Sequence, residues 1–473
     1  MPKISEEMFS EKYGGAGIFP DRYIFQSGQG DFGKLVTHVD EALDKLAEDI
    51  VPVINRSDKN ESAYNKAKKE DVKSFLKKYF KVYFFEKDFP DNENVKESCE
   101  KSLALLEMQD SFVSQVNDFD TYLNRFFRKI PNTFLTKDAG LDVGFPSIVE
   151  ISSNANEETP THPYQRYIAI VKGDGDSMGK ALEKIKDAST LSDALLEFNK
   201  KATTTISEFK GLPVYTGGDD LLFFAPIWNE KGSIFSLLQQ LDDDFHKIIS
   251  DRCSLDNQYH PTLSFGVSVT YYKYPMFEAL GLSGNLLDKA KGYDAPKDSS
   301  GNVLKNNIVF AVQKHSGQTR SVLIHKDQSV MSAFNKFMNK YLPVDKEEDA
   351  NDKSKSNKKL LSSVMHGLRE KEFMLTVAVK DKTMLDNFFA NNFNEPEHKA
   401  FDSFFSDVKN LLLKSYDLYN GENILESLKY SMPLSMKSGE TISAEKAAIE
   451  TVYNAIQFIH LVNQRNTEQD EDI

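Results

Sequence analysis

The sequence predicts an α+β fold whose centre is a ferredoxin-like, palm-type domain. Between residues 161 and 320, strand-like and helical stretches alternate in the order β-α-β-β-α-β, which is the order of ferredoxin-like units. The two middle strands flank Gly217-Gly218-Asp219-Asp220, a sequence typical of a tight hairpin turn. From residue 321 the pattern is mainly helical, which indicates a helical domain after the palm.

Residues 1–160 are interpreted as a degenerate palm-like and helical region. Apolar residues at helical spacing predict helices over 35–53, 72–79 and 95–108, and short apolar runs predict strands at 18–25 and 82–85. The polar, proline-containing segment 152–163 marks the boundary to the palm.

The palm, residues 161–320, has the clearest pattern. A continuous apolar run at 167–171 predicts a central strand. The further elements predicted are a helix over 178–209, hairpin strands at 214–216 and 221–224, a helix over 234–249, a strand over 263–272, a short helix over 286–291 and a final strand over 308–312.

The last part of the chain, residues 321–473, is predicted to be helical. Helices are expected over 360–368, 384–393, 401–416 and 444–463. The charged segment 344–359 contains almost no apolar residues, so it is predicted to be disordered.

Length and charge limit the possible functions. A chain of 473 residues is too long for one ordinary core, so several domains are expected. Its net charge of −14 argues against a surface that itself grips a nucleic-acid duplex, because such binding depends on Lys and Arg contacts to phosphates. Nucleic acid held mainly by partner subunits remains compatible with this charge.

The cysteines and the apolar runs exclude further classes. Cys99 and Cys253 are the only cysteines, so a disulfide framework and a four-cysteine zinc ribbon are excluded. No apolar run approaches the roughly 20 residues that cross a membrane, and the N-terminus lacks a signal-peptide pattern. We expect a soluble, cytoplasmic protein.

The first acidic motif, Asp174-Gly175-Asp176, follows the predicted central strand. Glycine lets the backbone turn tightly and approach a ligand. The backbone N–H groups at the start of the next helix, contributed by Ser177, Met178 and Gly179, are candidates for binding phosphates. A carboxylate beside them is well placed to hold a metal ion that bridges those phosphates.

The second motif is Gly217-Gly218-Asp219-Asp220. A hairpin turn alone explains its two glycines, but it does not explain two adjacent aspartates. If the two motifs lie on neighbouring strands, Asp174, Asp219 and Asp220 share one site. Crowded carboxylates repel one another unless a cation is bound, and Mg²⁺ or Mn²⁺ prefers such oxygen ligands. The Gly175 carbonyl is a further candidate ligand.

Asp176, Gly217 and Gly218 of the two motifs are also candidates for nucleotide binding, and three more residues join them. The missing side chain at Gly266, in the strand that also contains Ser264, leaves space for a base or ribose, although a strand glycine also suits a bulge. Lys291 closes a predicted helix that returns toward the acidic site, where a lysine would neutralise a triphosphate. These parts together suit two-metal nucleotidyl transfer.

Four segments resemble the large subunit of type III CRISPR effector complexes, Cmr branch (type III-B), whose second palm domain holds a GGDD polymerase–cyclase site. They are YIAIVKGDGDSMG at 167–179, VYTGGDDLLFFAP at 214–226, LSFGVSVTYY at 263–272 and NNIVFAVQKHSG at 306–317. Segments 18–25 and 145–151 also resemble that branch.

The resemblance implies a function in RNA-guided antiviral defence. Such subunits assemble with other Cmr-type subunits and guide RNA, and on target RNA binding they convert ATP to a second messenger, commonly cyclic oligoadenylate. The sequence also departs from the family in one respect. Many members begin with an HD nuclease domain, and no His-Asp dipeptide occurs in this sequence.

Several alternatives stay open at this point. The same site could join ATP to S-adenosylmethionine, and no motif decides which acceptor is used. A stand-alone dinucleotide cyclase is disfavoured by the helical extension and the N-terminal segments. A scaffold subunit that binds guide RNA without catalysis is disfavoured by the intact aspartates.

Overall fold

The computed structural model describes most of the chain from residue 31 to residue 463. The described residues are 31–55, 67–80, 82–88, 98–99, 101–103, 105, 147–153, 163–179, 181, 185, 188–253, 261–292, 305–313, 319–326, 328–342, 353–393, 402–421 and 442–463. They divide into two compact units. One lies within 21–145 and the other within 146–473.

The described part of the first unit is mainly a helical pair, α1 (Asp31–Ile54) and α2 (Lys69–Tyr79). The pair encloses a small apolar core to which Ile50, Val72 and Leu76 belong. Residues 82–88 have no regular secondary structure, so the strand predicted at 82–85 is wrong. A short apolar run is stable as a strand only when a neighbouring strand pairs with its backbone.

The second unit is built around a six-stranded sheet. Its elements are α3 (Ile148–Ser153), β1 (Tyr167–Gly175), α4 (Ala188–Glu208), β2 (Leu212–Gly217), β3 (Asp220–Pro226), β4 (Trp228–Asn229), β5 (Gly232–Ser233), α5 (Ile234–Cys253), β6 (Leu263–Tyr271), α6 (Met276–Ala290), β7 (Asn307–Gln313), β8 (Thr319–His325), α7 (Gln328–Tyr341), α8 (Lys353–Glu370), α9 (Glu372–Ala378), α10 (Lys382–Asn392), α11 (Asp402–Tyr419) and α12 (Ala444–Val462).

The strand order in the sheet is β2-β3-β1-β6-β7-β8. The pairs β2–β3, β3–β1 and β1–β6 are antiparallel, and β1 lies between β3 and β6. This is the arrangement of a ferredoxin-like βαββαβ unit, so the predicted fold class is confirmed. β7 adds to β6 in parallel, and β8 adds to β7 as a hairpin that the sequence pattern did not predict.

The two faces of the sheet are covered by different helices. Ala169, Val171 and Phe223 face a large core that includes α4 and α5. The opposite face of β6 and β7 packs against α6, where Leu286 and Val309 belong to a second cluster, and β8 packs against α12. The short helix α3 packs against β1 and β3. The sheet is therefore covered on both sides except near its β2 edge and at its strand ends.

The C-terminal helices share the core of the palm. The ring of Phe235 in α5 lies 5.1 Å from that of Phe334 in α7 and 5.2 Å from that of Phe458 in α12. β8 spans residue 320, where the sequence analysis placed a domain boundary. Palm and helical part therefore form one compact unit, because large apolar side chains of both are buried against each other.

Other boundaries differ from those predicted. The helix expected over 178–209 is interrupted, since residue 185 is not helical and α4 begins at Ala188. The segment 344–359 was predicted to be disordered, but α8 begins at Lys353. A charged run can form a helix when an apolar stretch that follows packs against a core. Residues 18–25 and 344–352 lie outside the described residues.

None of the helices in the described ranges is long and apolar enough to cross a membrane.

Candidate active site

A row of one glycine and five polar residues crosses the sheet at the end where β1 stops. Asp174 of β1 is paired in register with Asp220 of β3 on one side and with Ser264 of β6 on the other. The row consists of Gly217, Asp220, Asp174, Ser264, Asn307 and His325, one from each strand. The two acidic motifs are therefore neighbours in the fold, as the sequence predicts.

The hairpin turn between β2 and β3 brings Asp219 against β1. Gly218 has a φ of +64°, which glycine adopts without steric cost. The N–H of Gly175 donates a 3.1 Å hydrogen bond to the carbonyl of Asp219. A Cβ at position 175 would lie 2.7 Å from the Cβ of Asp219. Glycine at 175 thus permits the close approach of the two motifs.

The carboxylates of Asp174 and Asp219 are electrostatically strained. Burial raises the pKa of Asp219, and repulsion by Asp174 raises it further. Burial also raises the pKa of Asp174 above its usual value, even though Lys291 acts in the opposite direction. Both ionised groups would be stabilised by additional positive charge.

Lys291 provides part of that charge inside the protein. Its side chain is 2% exposed, and its Nζ lies 2.9 Å from Oδ1 of Asp174 and 3.2 Å from Oδ1 of Asp176. The ammonium also donates a 2.6 Å hydrogen bond to the carbonyl of Gly175. Burial alone would lower the pKa of Lys291, but the charges of Asp176 and Asp174 outweigh it and the pKa is raised.

The end of helix α6 explains why Lys291 reaches the site. Lys291 follows the last helical residue, and its N–H still bonds to the carbonyl of Leu287 at 2.9 Å. Gly292 then has a φ of +64°, the left-handed conformation with which helices commonly end. The sequence Lys-Gly therefore stops the helix with the lysine at the end of the sheet, as the sequence analysis expected.

The carboxylate of Asp176 is buried and has a structural role. The residue is 5% exposed. Its carboxylate accepts hydrogen bonds of 2.9 Å each from the hydroxyls of Thr262 and Ser264 and from the N–H of Asn306. A buried carboxylate requires such donors. Asp176 thus ties the starts of β6 and β7 to the end of β1, and it does not face a nucleotide as predicted.

The structure also corrects the roles predicted for Ser264 and Gly266. The hydroxyl of Ser264 is buried and engaged with Asp176, so it is not free for a nucleotide. A Cβ at Gly266 would lie 2.2 Å from the N atom of Leu287 and 2.3 Å from the carbonyl O of Ser283. The missing side chain makes room for helix α6, and no base or ribose fits there.

A second buried ion pair lies behind the first. The side chain of Lys326 is 3% exposed, and its Nζ lies 2.5 Å from Oδ2 of Asp242. Burial lowers the pKa of Lys326 more than Asp242 raises it. The other oxygen of Asp242 accepts a 2.7 Å hydrogen bond from the N–H of Leu263. This pair joins α5 to the start of β6 and the end of β8.

Residues 167–300 match the family of the second palm domain of Cas10/Cmr2. This palm is of the Cas10/Cmr2 type. The match includes both acidic motifs, β6 and Lys291, so it covers the residues whose geometry is described above.

A curated relative has the same affiliation. The chain is 25% identical over 199 residues to the CRISPR system Cmr subunit Cmr2 of Pyrococcus furiosus, which is 36% of this chain and 21% of that protein. The chain thus matches about a fifth of the length of this relative. The chain is accordingly Cas10/Cmr2-like.

Solved structures of Csm1-Csm4 cassettes are also similar. A complex with cA4 has a TM-score of 0.32 at 12% identity, and the alignment covers 67% of this chain and 39% of that chain. A complex with cA3 has a TM-score of 0.33 at 15% identity, with 57% and 38% covered.

The segment after Asp176 was predicted to bind phosphates. Ser177 has a φ of +58°, and a short helical turn follows in which the N–H of Ala181 bonds to the carbonyl of Ser177 at 3.2 Å. Among the described residues, no atom outside this turn lies within 4 Å of a Cβ built at Gly179. The Cas10/Cmr2-type palm therefore has space beside this turn, and phosphate binding there stays a prediction.

Sequence reasoning missed several residues that shape the site. Thr262 and Asn306 hold the carboxylate of Asp176, and the signal for them is weak, because each is an ordinary polar residue just before a strand. Lys172 was also missed. It lies two residues before Asp174, on the same face of β1.

The donors at the site fit a magnesium ion held together with substrate. No group of three His, Cys, Asp or Glu side chains could hold a metal ion by itself, as far as the described residues show. Mg²⁺ is commonly bound by one or two carboxylates together with phosphate oxygens. Asp174 and Asp219 supply such a pair, and Asp220 is exposed on the adjacent strand.

Replacing Lys291 with methionine is expected to destabilise the palm. The change leaves Asp174 and Asp176 without their buried counter-ion, which costs about 3 kcal/mol at neutral pH. The loss should shrink as the pH falls, because the carboxyl of Asp174, whose pKa is already raised by burial, can then take up a proton. Thermal unfolding followed at several pH values measures both effects.

A matched control is Lys201→Met, which removes an exposed lysine of α4. It should change stability by no more than about 0.5 kcal/mol. Equal melting temperatures for Lys291→Met and wild type would contradict the role assigned to this ion pair.

Proposed function

We propose that this chain is a metal-dependent nucleotidyltransferase that converts ATP to a nucleotide second messenger, a cyclic oligoadenylate, within an RNA-guided type III CRISPR complex. The observation that carries the proposal is the junction of β1 with the β2–β3 turn. There Asp174 and Asp219 lie together with a raised pKa, at the end of a Cas10/Cmr2-type palm.

The carboxylates of Asp174 and Asp219 would hold Mg²⁺ or Mn²⁺, with Asp220 as an additional ligand. Such ions activate a ribose hydroxyl and stabilise departing pyrophosphate. The raised pKa of both aspartates supports this assignment, because burial and the charge of a neighbouring aspartate destabilise the ionised carboxylates until a cation binds. The surrounding protein contributes position and charge.

Three features of the chain support a rigidly positioned site. The hydrogen bond between Gly175 and Asp219 fixes the turn against β1. The buried carboxylate of Asp176 locks the starts of β6 and β7. Nζ of Lys291 lies 2.9 Å from Oδ1 of Asp174 and restrains that side chain. Side chains held in this way lose little entropy when substrate binds.

The partners belong to the proposal as well. A Cas10/Cmr2-like subunit is expected to assemble with other type III subunits, and guide RNA and target RNA would be held mainly through them. The net charge of −14 agrees with this division, because the chain itself lacks the excess of cations that duplex binding requires.

The proposal is tested by incubating the assembled complex with ATP, Mg²⁺ or Mn²⁺ and matching target RNA, followed by mass spectrometry. The expected product is a cyclic oligoadenylate. If S-adenosylmethionine is added and a product that joins it to AMP appears, the acceptor is S-adenosylmethionine and the proposed nucleotidyl transfer still stands. Unreacted ATP under all these conditions would contradict the enzymatic function and favour a scaffold.

Thermal unfolding of the chain provides an independent check. Because the protein supplies few metal ligands by itself, Mg²⁺ alone should stabilise it little, and Mg²⁺ with ATP should stabilise it by more. The double variant Asp219→Ala/Asp220→Ala should lose the additional stabilisation. An equal response in wild type and double variant would place nucleotide binding elsewhere.

A further inference from the structure

Lys172 lies at the border between the covered and the open part of the sheet. In register, it has Gly266 of β6 on one side and Leu222 of β3 on the other. Gly266 is covered by helix α6, whereas Leu222 and its neighbour Tyr215 on β2 are only partly buried. The lysine therefore stands where the helical cover of this face ends.

The position of its ammonium is given by helix α6. A Cβ at Gly284 would lie 3.2 Å from Nζ of Lys172, so the ammonium rests over a helical residue without a side chain. Lys172 is partly buried, and within the described ranges its side chain has no carboxylate partner. An ammonium group without a carboxylate partner can bind an incoming anion.

The lysine that the sequence analysis singled out for phosphate is not available. The Nζ of Lys291 is already bound to Asp174, Asp176 and the carbonyl of Gly175. An ammonium has three donors, and these contacts occupy them. A substrate anion at this face therefore needs another cation.

The distance between Lys172 and the acidic row suits a polyphosphate. Lys172 and Asp174 point to the same face of β1 and are two residues apart, which is about 7 Å along a strand. A linear triphosphate that shares a metal ion with Asp174 at one end can reach a cation one pleat away at the other.

We propose that Lys172 binds the triphosphate of the substrate nucleotide, with its ammonium held over Gly284. The inference deepens the proposed function, on which the identity of the anion as a nucleotide rests. It replaces the role that was predicted for Lys291 and leaves Lys291 as the internal counter-ion of Asp174 and Asp176.

The test measures binding of inorganic tripolyphosphate, with Mg²⁺ present, by calorimetry on the full chain. Lys172→Met should weaken binding roughly tenfold to a hundredfold, which is the usual effect of losing a hydrogen bond to a charged group. Lys172→Arg keeps the charge and should bind within about threefold of wild type. Lys247→Met, which removes an exposed lysine of α5, should bind like wild type.

Each other outcome overturns the inference. These outcomes are a wild type that does not bind tripolyphosphate, Lys172→Met binding as tightly as wild type, and either Lys172→Arg or Lys247→Met losing as much affinity as Lys172→Met. Melting temperatures of all variants show whether a loss comes from unfolding.

The same variants separate this inference from the proposed function. If wild type binds tripolyphosphate through Lys172 but no ATP is consumed, the inference stands and the proposed function fails. If ATP is consumed and Lys172→Met leaves KM for ATP unchanged, the inference fails and the proposed function stands.

Discussion

Asp219→Asn is expected to abolish ATP turnover while making the protein more stable. Under the proposed function, Asp219 is one of three carboxylates that would hold the metal ion, so its neutralisation should lower kcat by at least about a hundredfold, as losses of preorganised charge at active sites do. The pKa of Asp219 is raised by burial and by Asp174. At neutral pH its charge therefore costs folding free energy, and a neutral amide of the same shape removes that cost.

The sign of the pH dependence follows from the same shift. A carboxyl whose pKa is higher in the folded state destabilises the fold at a pH above that pKa, and the penalty disappears as the pH falls toward the unfolded value. The gain in melting temperature of Asp219→Asn should therefore be present at pH 7 and vanish near pH 4.

The control for this variant is Asp251→Asn, which changes an exposed aspartate near the end of α5. It should leave ATP turnover unchanged. Full turnover in Asp219→Asn would show that this carboxylate does not hold the metal ion, and a lowered melting temperature at pH 7 would contradict the electrostatic strain.

Among the glycines that the structure describes in the palm, Gly266 is expected to be the one at which alanine is most damaging. The new Cβ would lie 2.2 Å from the N atom of Leu287 and 2.3 Å from the carbonyl O of Ser283. Both are backbone atoms of α6, so no side-chain rotation relieves the contact. We expect a loss of about 3 kcal/mol or more in the free energy of unfolding, measured by urea denaturation.

Gly281→Ala provides the matched control. Gly281 lies in α6, the helix that packs on Gly266, and no described atom outside the helix backbone lies within 4 Å of a Cβ built there. Alanine in a helix interior is more stable than glycine by roughly 0.5 to 1 kcal/mol, so this variant should be as stable as wild type or more so. Equal stability of Gly266→Ala and Gly281→Ala would show that α6 does not pack on β6 as described.

The core of the fold was predictable because its signals are local. The apolar run that begins β1 and the Gly-Gly-Asp-Asp turn each determine a short element, and the pairing of β1 with β3 follows from the order of the elements. The hairpin partner β8 was missed, since residues Thr319–His325 lack a strong alternating pattern and are held as a strand by β7.

The site was predictable in its position but only partly in its chemistry. Motif spacing correctly brings Asp174, Asp219 and Lys291 to one end of the sheet. Spacing cannot show which polar side chain is buried, and for this reason Asp176 and Ser264 were assigned to the nucleotide although they bond to each other. That distinction depends on contacts between residues far apart in the chain.

Gly266 illustrates the same limit for glycine. In a sequence, a strand glycine near acidic motifs is compatible with ligand space, a bulge or close packing of a helix. The packing of α6, the helix that follows β6 in the chain, decides among them. The packing explanation then removes a binding residue and adds a structural one.

The close contact at Gly266 has a mechanical consequence. Helix α6 touches the sheet with its backbone over Ser283–Leu287, and Gly284 lies within this contact. Lys291 follows one turn later, about 6 Å along the axis from Leu287. The same contact therefore holds Gly284 over Lys172 and sets the height above the sheet from which Lys291 reaches Asp174.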